Sequence, residues 1–324
     1  MKSGKIAFLF LVLDNPNFPS VWDAYFKGNE EQINIYIHPK YPKRNNWKRE
    51  CVIAELHETG WGYIVSAYVA LLSKALEDPK NEKFIFVSES CLPVKSFDDM
   101  FSRIMANKDE SFVKQMSVKR YDLENRITLQ LKDALKPGQL MKHYARMCLS
   151  RQHVKQLLFK YNAPLVNLFK TMHVGDEFFL STISPMQNST SFAVTYDDWV
   201  FVEAQKTEIK SHIRSLYEKQ ETDTQFDCTS AITALRTHYD DIAKSPKTIF
   251  RVSQNDLEGM KNTRSFFYRK FSKNSDIEQY IYDLIITSFM SYLRRQQRGG
   301  VAVGKTTLQD IEAYANASAY TIRL

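Results

Sequence analysis

Four polar residues, Ser88, Glu89, Ser90 and Cys91, follow directly on the apolar run Phe84-Ile85-Phe86-Val87. Such a run reads as a central strand covered on both faces. Side chains just past its carboxyl end lie in the crevice where open α/β sheets hold their ligands, so this segment is read as the floor of an active site. An acidic pair, Asp176-Glu177, follows Gly175 at the start of a predicted helix, where carboxylates also serve as caps. One stretch suggests phosphate chemistry: Gly299 to Thr306, GGVAVGKT, fits the GxxxxGK[ST] loop of P-loop NTPases. Its context is wrong. A basic helix ending Arg294-Arg295-Gln296-Gln297-Arg298 precedes it where a buried strand is required, and too little chain follows to supply a magnesium-holding carboxylate. A Gly-rich turn is the expectation there. A P-loop NTPase would instead bind ATP in a way that Lys305→Ala abolishes.

The elements that position these residues can be read in order. Lys5 to Leu13 is a buried strand, Asp14 to Pro19 a loop, Val21 to Phe26 a short helix, and Ile33 to Ile37 a strand ending at His38-Pro39-Lys40. After a Trp61-Gly62 turn, Ile64, Tyr68, Leu71, Leu72 and Ala75 recur at helical spacing. The strand at 84–87 then completes a βαβαβ start, the sign of parallel strands. No GxGxxG supports a dinucleotide site. Beyond it, Phe97 to Met105 reads as a helix, Ser111 to Met116 as a strand and Val118 to Tyr121 as a basic loop. Helices are expected over 151–161, 164–172 and 176–183, a strand over 192–195, and charged helical sequence over 202–243. A last strand at Thr248 to Val252 precedes the Ser265 to Phe271 segment, and Asp276 to Arg295 is a final amphipathic helix.

Composition bounds the rest. The chain of 324 residues, 44% apolar, can bury a large core, and no repeat or linker divides it. A net charge of +7 suits an anionic ligand but is spread thinly, and no nucleic-acid partner is expected. Cys51, Cys91, Cys148 and Cys228 stand far apart, indicating reduced thiols rather than disulfides or zinc. Residues 6–13 are too few apolar positions for a transmembrane helix. The sequons at Asn188 and Asn316 are read as chance matches.

Together the segments WGYIVSAYVALLSKALEDPKNEKFIFVSESCLPV, SFV, KRY, LSRQHV, GDEFFLSTI, TYDDW and FFYRKF resemble, in order, the core-2/I-branching glycosyltransferase family, closest to its plant-type branch. The likeness runs over about residues 5–272. It implies an α/β fold of the GT-A (Rossmann-like) type with a mixed central sheet, here over 1–273, followed by a helical C-terminal tail over 274–324. It also implies an inverting transferase that moves a sugar from a UDP-sugar to a glycan hydroxyl without a metal, cofactor or DxD motif, and the chain contains no DxD.

By motif position, the resemblance gives Glu177 as catalytic base and Lys270 and Lys247 as the cations that stabilise the departing diphosphate. Animal members carry an arginine at the second position; a lysine lacks the bidentate fork, and Arg251 and Arg269 are the candidates to share the role. Leu13, Asp14 and His38 end the first two strands where uridine is expected, with Glu89 and Ser90 on the donor side. Trp199 resembles an aromatic platform for the acceptor, and Lys119, Arg120 and Tyr121 resemble a basic stretch lining it. Asp176 is assigned the helix cap.

The expected partners are a UDP-sugar, with N-acetylglucosamine and xylose both open, and a glycan acceptor. For residues beyond 273, packing on the core and a homodimer through the C-terminal helix both stay open. With no anchor in this sequence a cytoplasmic protein is expected, or a Golgi membrane protein if an N-terminal anchor has been removed. The competing reading is a catalytically silent glycan- or nucleotide-binding module on the same fold.

Overall fold

A computed structural model describes residues 4–277 except 137, 160–162, 185–188, 199, 223–226 and 243–245. Its centre is a six-stranded mixed sheet. Strands β1 (Lys5–Val12), β2 (Ile33–Pro39) and β3 (Asn81–Ser88) are mutually parallel in the order β2-β1-β3. Three short pieces named below complete it on the far side of β3. The chain leaves β1 to one side for β2 and returns across it for β3, so their carboxyl ends flank a topological switch point.

Two cores explain the uninterrupted apolar runs. On one face of the sheet Ala7, Leu9, Phe84 and Phe86 pack with Tyr68, Leu71, Leu72 and Ala75 of helix α1 (Val65–Leu76). On the other, Phe8, Phe10, Ile85 and Val87 pack with Trp22, Tyr25 and Phe26 of the helix Pro19–Phe26 and with Phe97, Met100 and Ile104 of the helix Phe97–Met105. Successive residues of a strand point to opposite faces, so a strand covered on both must be apolar throughout.

Several local expectations are corrected. Ser111 to Met116 is two short pieces, β4 being Leu92–Pro93, β5 Ser111–Phe112 and β6 Gln115–Met116. The chain turns outward between β5 and β6 to pair β6 with β7 (Lys142–His143), while β5 stays in the main sheet between β8 (Cys148–Ser150) and β9 (Ser189–Thr190). Of the basic loop expected over Val118 to Tyr121, Val118 and Lys119 stay outside any helix or strand, while Arg120 and Tyr121 begin a helix, Arg120–Asn125. The strand expected at 192–195 is displaced to β10 (Thr195–Asp197), because Phe192 turns its ring onto Phe112 and Phe266 before strand pairing begins. The charged stretch is two helices, Val200–Thr222 and Thr229–Ile242. Strand β11 (Ile249–Arg251) pairs with β13 (Phe271–Asp276), and β12 (Phe267–Arg269) lies between β10 and β4.

β13 crosses the 273/274 boundary, and Asp276 belongs to it rather than to a helix. The remainder of the final helix, the Gly299–Thr306 loop, the asparagines of both sequons and any dimer contact of the tail lie outside the described residues. All four cysteines are free. Among the described residues no helix is long and apolar enough to cross a membrane.

Candidate active site

Two antiparallel pairings carry basic side chains to the carboxyl ends of the parallel strands. β8 runs against β3 with Cys148 opposite Ile85, and Phe86 N donates to Met147 O at 3.1 Å, which brings Arg146 alongside the end of β3. β12 runs against β4 with Tyr268 opposite Leu92, and Phe271 N donates to Ser90 O at 3.0 Å, so Arg269 and Lys270 stand beside the Ser88–Cys91 turn. The parallel register of β10 on β12 sets Asp197 opposite Arg269, and their side chains pair at 3.2 Å. Asn17 ties the turn after β1 into this corner: its N–H donates to Glu89 O and its Nδ2 to Phe271 O, both at 2.8 Å.

The cations here are short of counter-ions. Burial and the nearby Arg269 lower the pKa of Lys270, with Arg146 adding to the effect and Glu89 and Asp197 opposing it. Arg269 is itself lowered by burial and by Arg146. Burial also works against the charge of Arg146, but Asp197, Tyr68, Cys91 and Asp176 around it outweigh burial and raise its pKa. Among the described residues neither Arg146 nor Lys270 has a carboxylate within ion-pair distance, and Arg269 Nε is buried without a hydrogen-bond acceptor. Three converging cations with one close carboxylate suit a multiply charged anion, whose binding would relieve their repulsion.

Glu177 sits on a separate loop. A 3-10 turn, Gly175–Glu177, precedes a helix Phe179–Ile183 where a single helix over 176–183 was expected. Val174, just before the turn, is held at φ 54, a left-handed conformation costly for a β-branched residue. Gly175 allows the closest approach in this region: a Cβ there would lie 2.1 Å from Phe169 O. Gly62, at φ +79, fits against Val174 N, so the Trp61-Gly62 turn braces the same loop. The Glu177 carboxylate is one-third exposed and is held by Lys142 at 3.4 Å and Arg126 at 3.6 Å.

Asp176 does not cap a helix, because no side chain caps either element, and its Oδ1 is buried without a partner. Burial first, then the neighbouring Glu177, push its carboxyl up to about 6, against the opposite pull of Arg146 and Arg126.

The other expected site residues divide. Glu89 and Ser90 are in the corner with Arg269 and Lys270. Leu13 is exposed past β1, and half-buried Asp14 accepts from Asn15 N at 2.6 Å while its carbonyl takes Asn45 Nδ2 at 2.7 Å. His38 is fully buried at the end of β2; its Nε2 accepts from His57 N at 2.9 Å, and burial lowers its pKa to about 4. Lys247 borders the corner through its N–H, which donates to Asp198 O at 3.1 Å, but its ammonium pairs with Asp256 at 2.5 Å. Arg251 points outward to Asp276 at 3.7 Å, away from the cluster. Lys119 is exposed and acts electrostatically on Glu203. The side chains of Arg120 and Tyr121, and all of Trp199, lie outside the described residues.

Arg146, Asp197, Arg126 and Lys142 are absent from the expected site. Arg146 is brought in by the direction of β8, Asp197 by the register of β10 and Lys142 by the pairing of β7 with β6, none of which a local pattern announces.

The profile of the family described as Core-2/I-Branching enzyme matches residues 6–224, more than half of the 324 residues. A curated relative, Glycosyltransferase BC10 of rice (Oryza sativa subsp. japonica), is 31% identical over 121 residues, 34% of this chain. The match spans 30% of that protein's length. With a mixed α/β sheet of the GT-A type and a matching profile over most of that sheet, the chain belongs to the core-2/I-branching enzyme family.

Proposed function

We propose that this protein is an inverting glycosyltransferase that moves a sugar from a UDP-sugar to a glycan hydroxyl without a metal ion. The observation that carries this reading is the set of Arg146, Arg269 and Lys270, short of counter-ions, at the strand ends, with the carboxylate of Glu177 held on a separate loop beside Asp176, which Arg146 acts on. In an inverting displacement Glu177 takes the proton of the acceptor hydroxyl as its oxygen bonds the anomeric carbon. The bond from that carbon to the diphosphate breaks on the opposite face, its electron pair leaving with the UDP. The cations meet the charge that develops there, the role a metal fills in other sites. Uridine and the β-linkage come from the family resemblance, and N-acetylglucosamine and xylose remain the two donor candidates.

Calorimetric titration with UDP in excess EDTA tests the anion site. Binding of UDP under EDTA, and none of ATP, is the expected result; binding only after manganese is restored would sink the metal-free mechanism. Replacing Glu177 with Gln should leave UDP affinity intact and lower turnover by about 10²–10⁴-fold. Unchanged turnover would remove Glu177 from the mechanism. A protein that binds UDP but turns over no UDP-sugar would be the silent module.

A further inference from the structure

Trp61 is 71% exposed, the most open of the described tryptophans, and it stands beside Tyr63, itself 45% exposed. Both rings lean on His173, with centroids 4.9 and 5.8 Å away. Large aromatic side chains are usually drawn into the interior, so a grouped exposed set marks a surface that meets something. The set is also rigid. Gly60 and Tyr63 exchange two backbone hydrogen bonds, at 3.0 and 3.3 Å, and Gly62 packs so tightly on His173 and Val174 that no side chain fits between them. The aromatic surface and the Glu177 loop are therefore one body. Three residues separate His173 from Glu177, four Cα steps and a span of at most about 14 Å, within reach of a short oligosaccharide.

We infer that Trp61, with Tyr63 and His173, forms a stacking platform for a pyranose ring of the acceptor glycan. This rests on the transferase reading above. The group that takes the proton must lie within hydrogen-bond distance of the acceptor hydroxyl, so a sugar-stacking surface fused to its loop is anchored close to where the acceptor sits. Indole and phenol rings offer flat apolar faces to the CH side of a sugar while keeping polar edges for its hydroxyls. The two aromatics and the imidazole edge match a sugar ring in both respects.

The test is saturation-transfer NMR on the full chain in the presence of UDP, with methyl β-D-galactopyranoside, methyl β-D-xylopyranoside and N-acetyllactosamine as probes. Wild type, Trp61→Ala and Trp61→Phe are compared, and calorimetric UDP binding and Tm are measured on each. The expected result is saturation of sugar ring protons in wild type. In Trp61→Ala affinity falls at least about tenfold, equivalent to about 1.4 kcal/mol; Trp61→Phe retains most of it, and UDP affinity and Tm are unchanged. Equal sugar saturation in wild type and Trp61→Ala, or none in wild type, with UDP still bound, overturns the platform and leaves the transferase reading standing. No UDP binding in any variant overturns the reading beneath it, and the acceptor assignment with it.

Discussion

At the scale of single residues, Asp176 shows how burial redirects a side chain that sequence would make a cap. Its carboxyl, pushed up to about 6 from an ordinary 3.8, binds a proton more readily in the folded chain than in the unfolded one. The stability this contributes is complete below about pH 4 and is lost as pH rises through about 6. His38 and His143 act oppositely: burial lowers both from 6.5 to about 4, so each lends stability above pH 6.5 that is lost as pH falls through about 4. Asp176→Asn removes the first effect only. Urea unfolding from pH 4 to 7 should therefore show a stability difference between variant and wild type that grows in favour of the variant with rising pH. A pH-independent difference would mean that Arg146 neutralises the carboxylate fully.

At the scale of elements, the loop carrying Glu177 is defined by close backbone approach. Gly175→Ala puts a methyl 2.1 Å from Phe169 O, a backbone atom that cannot swing away. Denaturant unfolding should show a loss of about 1–3 kcal/mol or more, with turnover reduced and UDP affinity little changed. Gly259, inside the helix Gln254–Asn262, is the control: nothing lies within 4 Å of its Cβ position, and Ala there should gain about 1 kcal/mol. Equal effects at the two glycines would show that the close approach is not what shapes the loop. That helix also explains Lys247. Burial would raise the pKa of Asp256, but hydrogen bonds from Lys247 and Ser253 more than offset this and hold it low, and the same carboxylate completes the capping box.

At the scale of the whole molecule, the cations come from a part of the chain far in sequence from the strands they serve. Asn17 is the joint, linking the turn after β1 to Glu89 and to Phe271, 254 residues away. Asn17→Ala removes the side-chain bond to Phe271 O, at a cost of about 1 kcal/mol. If this bond holds Lys270 over the sheet, UDP affinity measured by calorimetry falls severalfold while secondary structure by circular dichroism is kept. Unchanged affinity would assign the placement of Lys270 to the β4–β12 pairing alone.

The parallel core was legible in the chain itself. Apolar runs at 6–10 and 84–87 can only be strands covered twice, and the helical spacing from Ile64 to Ala75 supplies one cover. The position of Ser88–Cys91 at the carboxyl end of β3 follows from that geometry because strand direction is fixed once parallel pairing is inferred. The short strands of two or three residues were not legible: β5, β6 and β10 are set by which neighbour their backbone meets rather than by their own side chains. The same limit hid half the candidate site. Arg146 reaches it because β8 runs antiparallel to β3, and Asp197 because β10 is in register with β12. Lys247, basic and correctly spaced along the chain, is instead bound to a carboxylate on the next helix. Local sequence determines which segments are buried and which way they periodically face. Long-range pairing alone decides which charges meet, because a charge's partner is set by distance in space, and the chain specifies that distance only after it has folded.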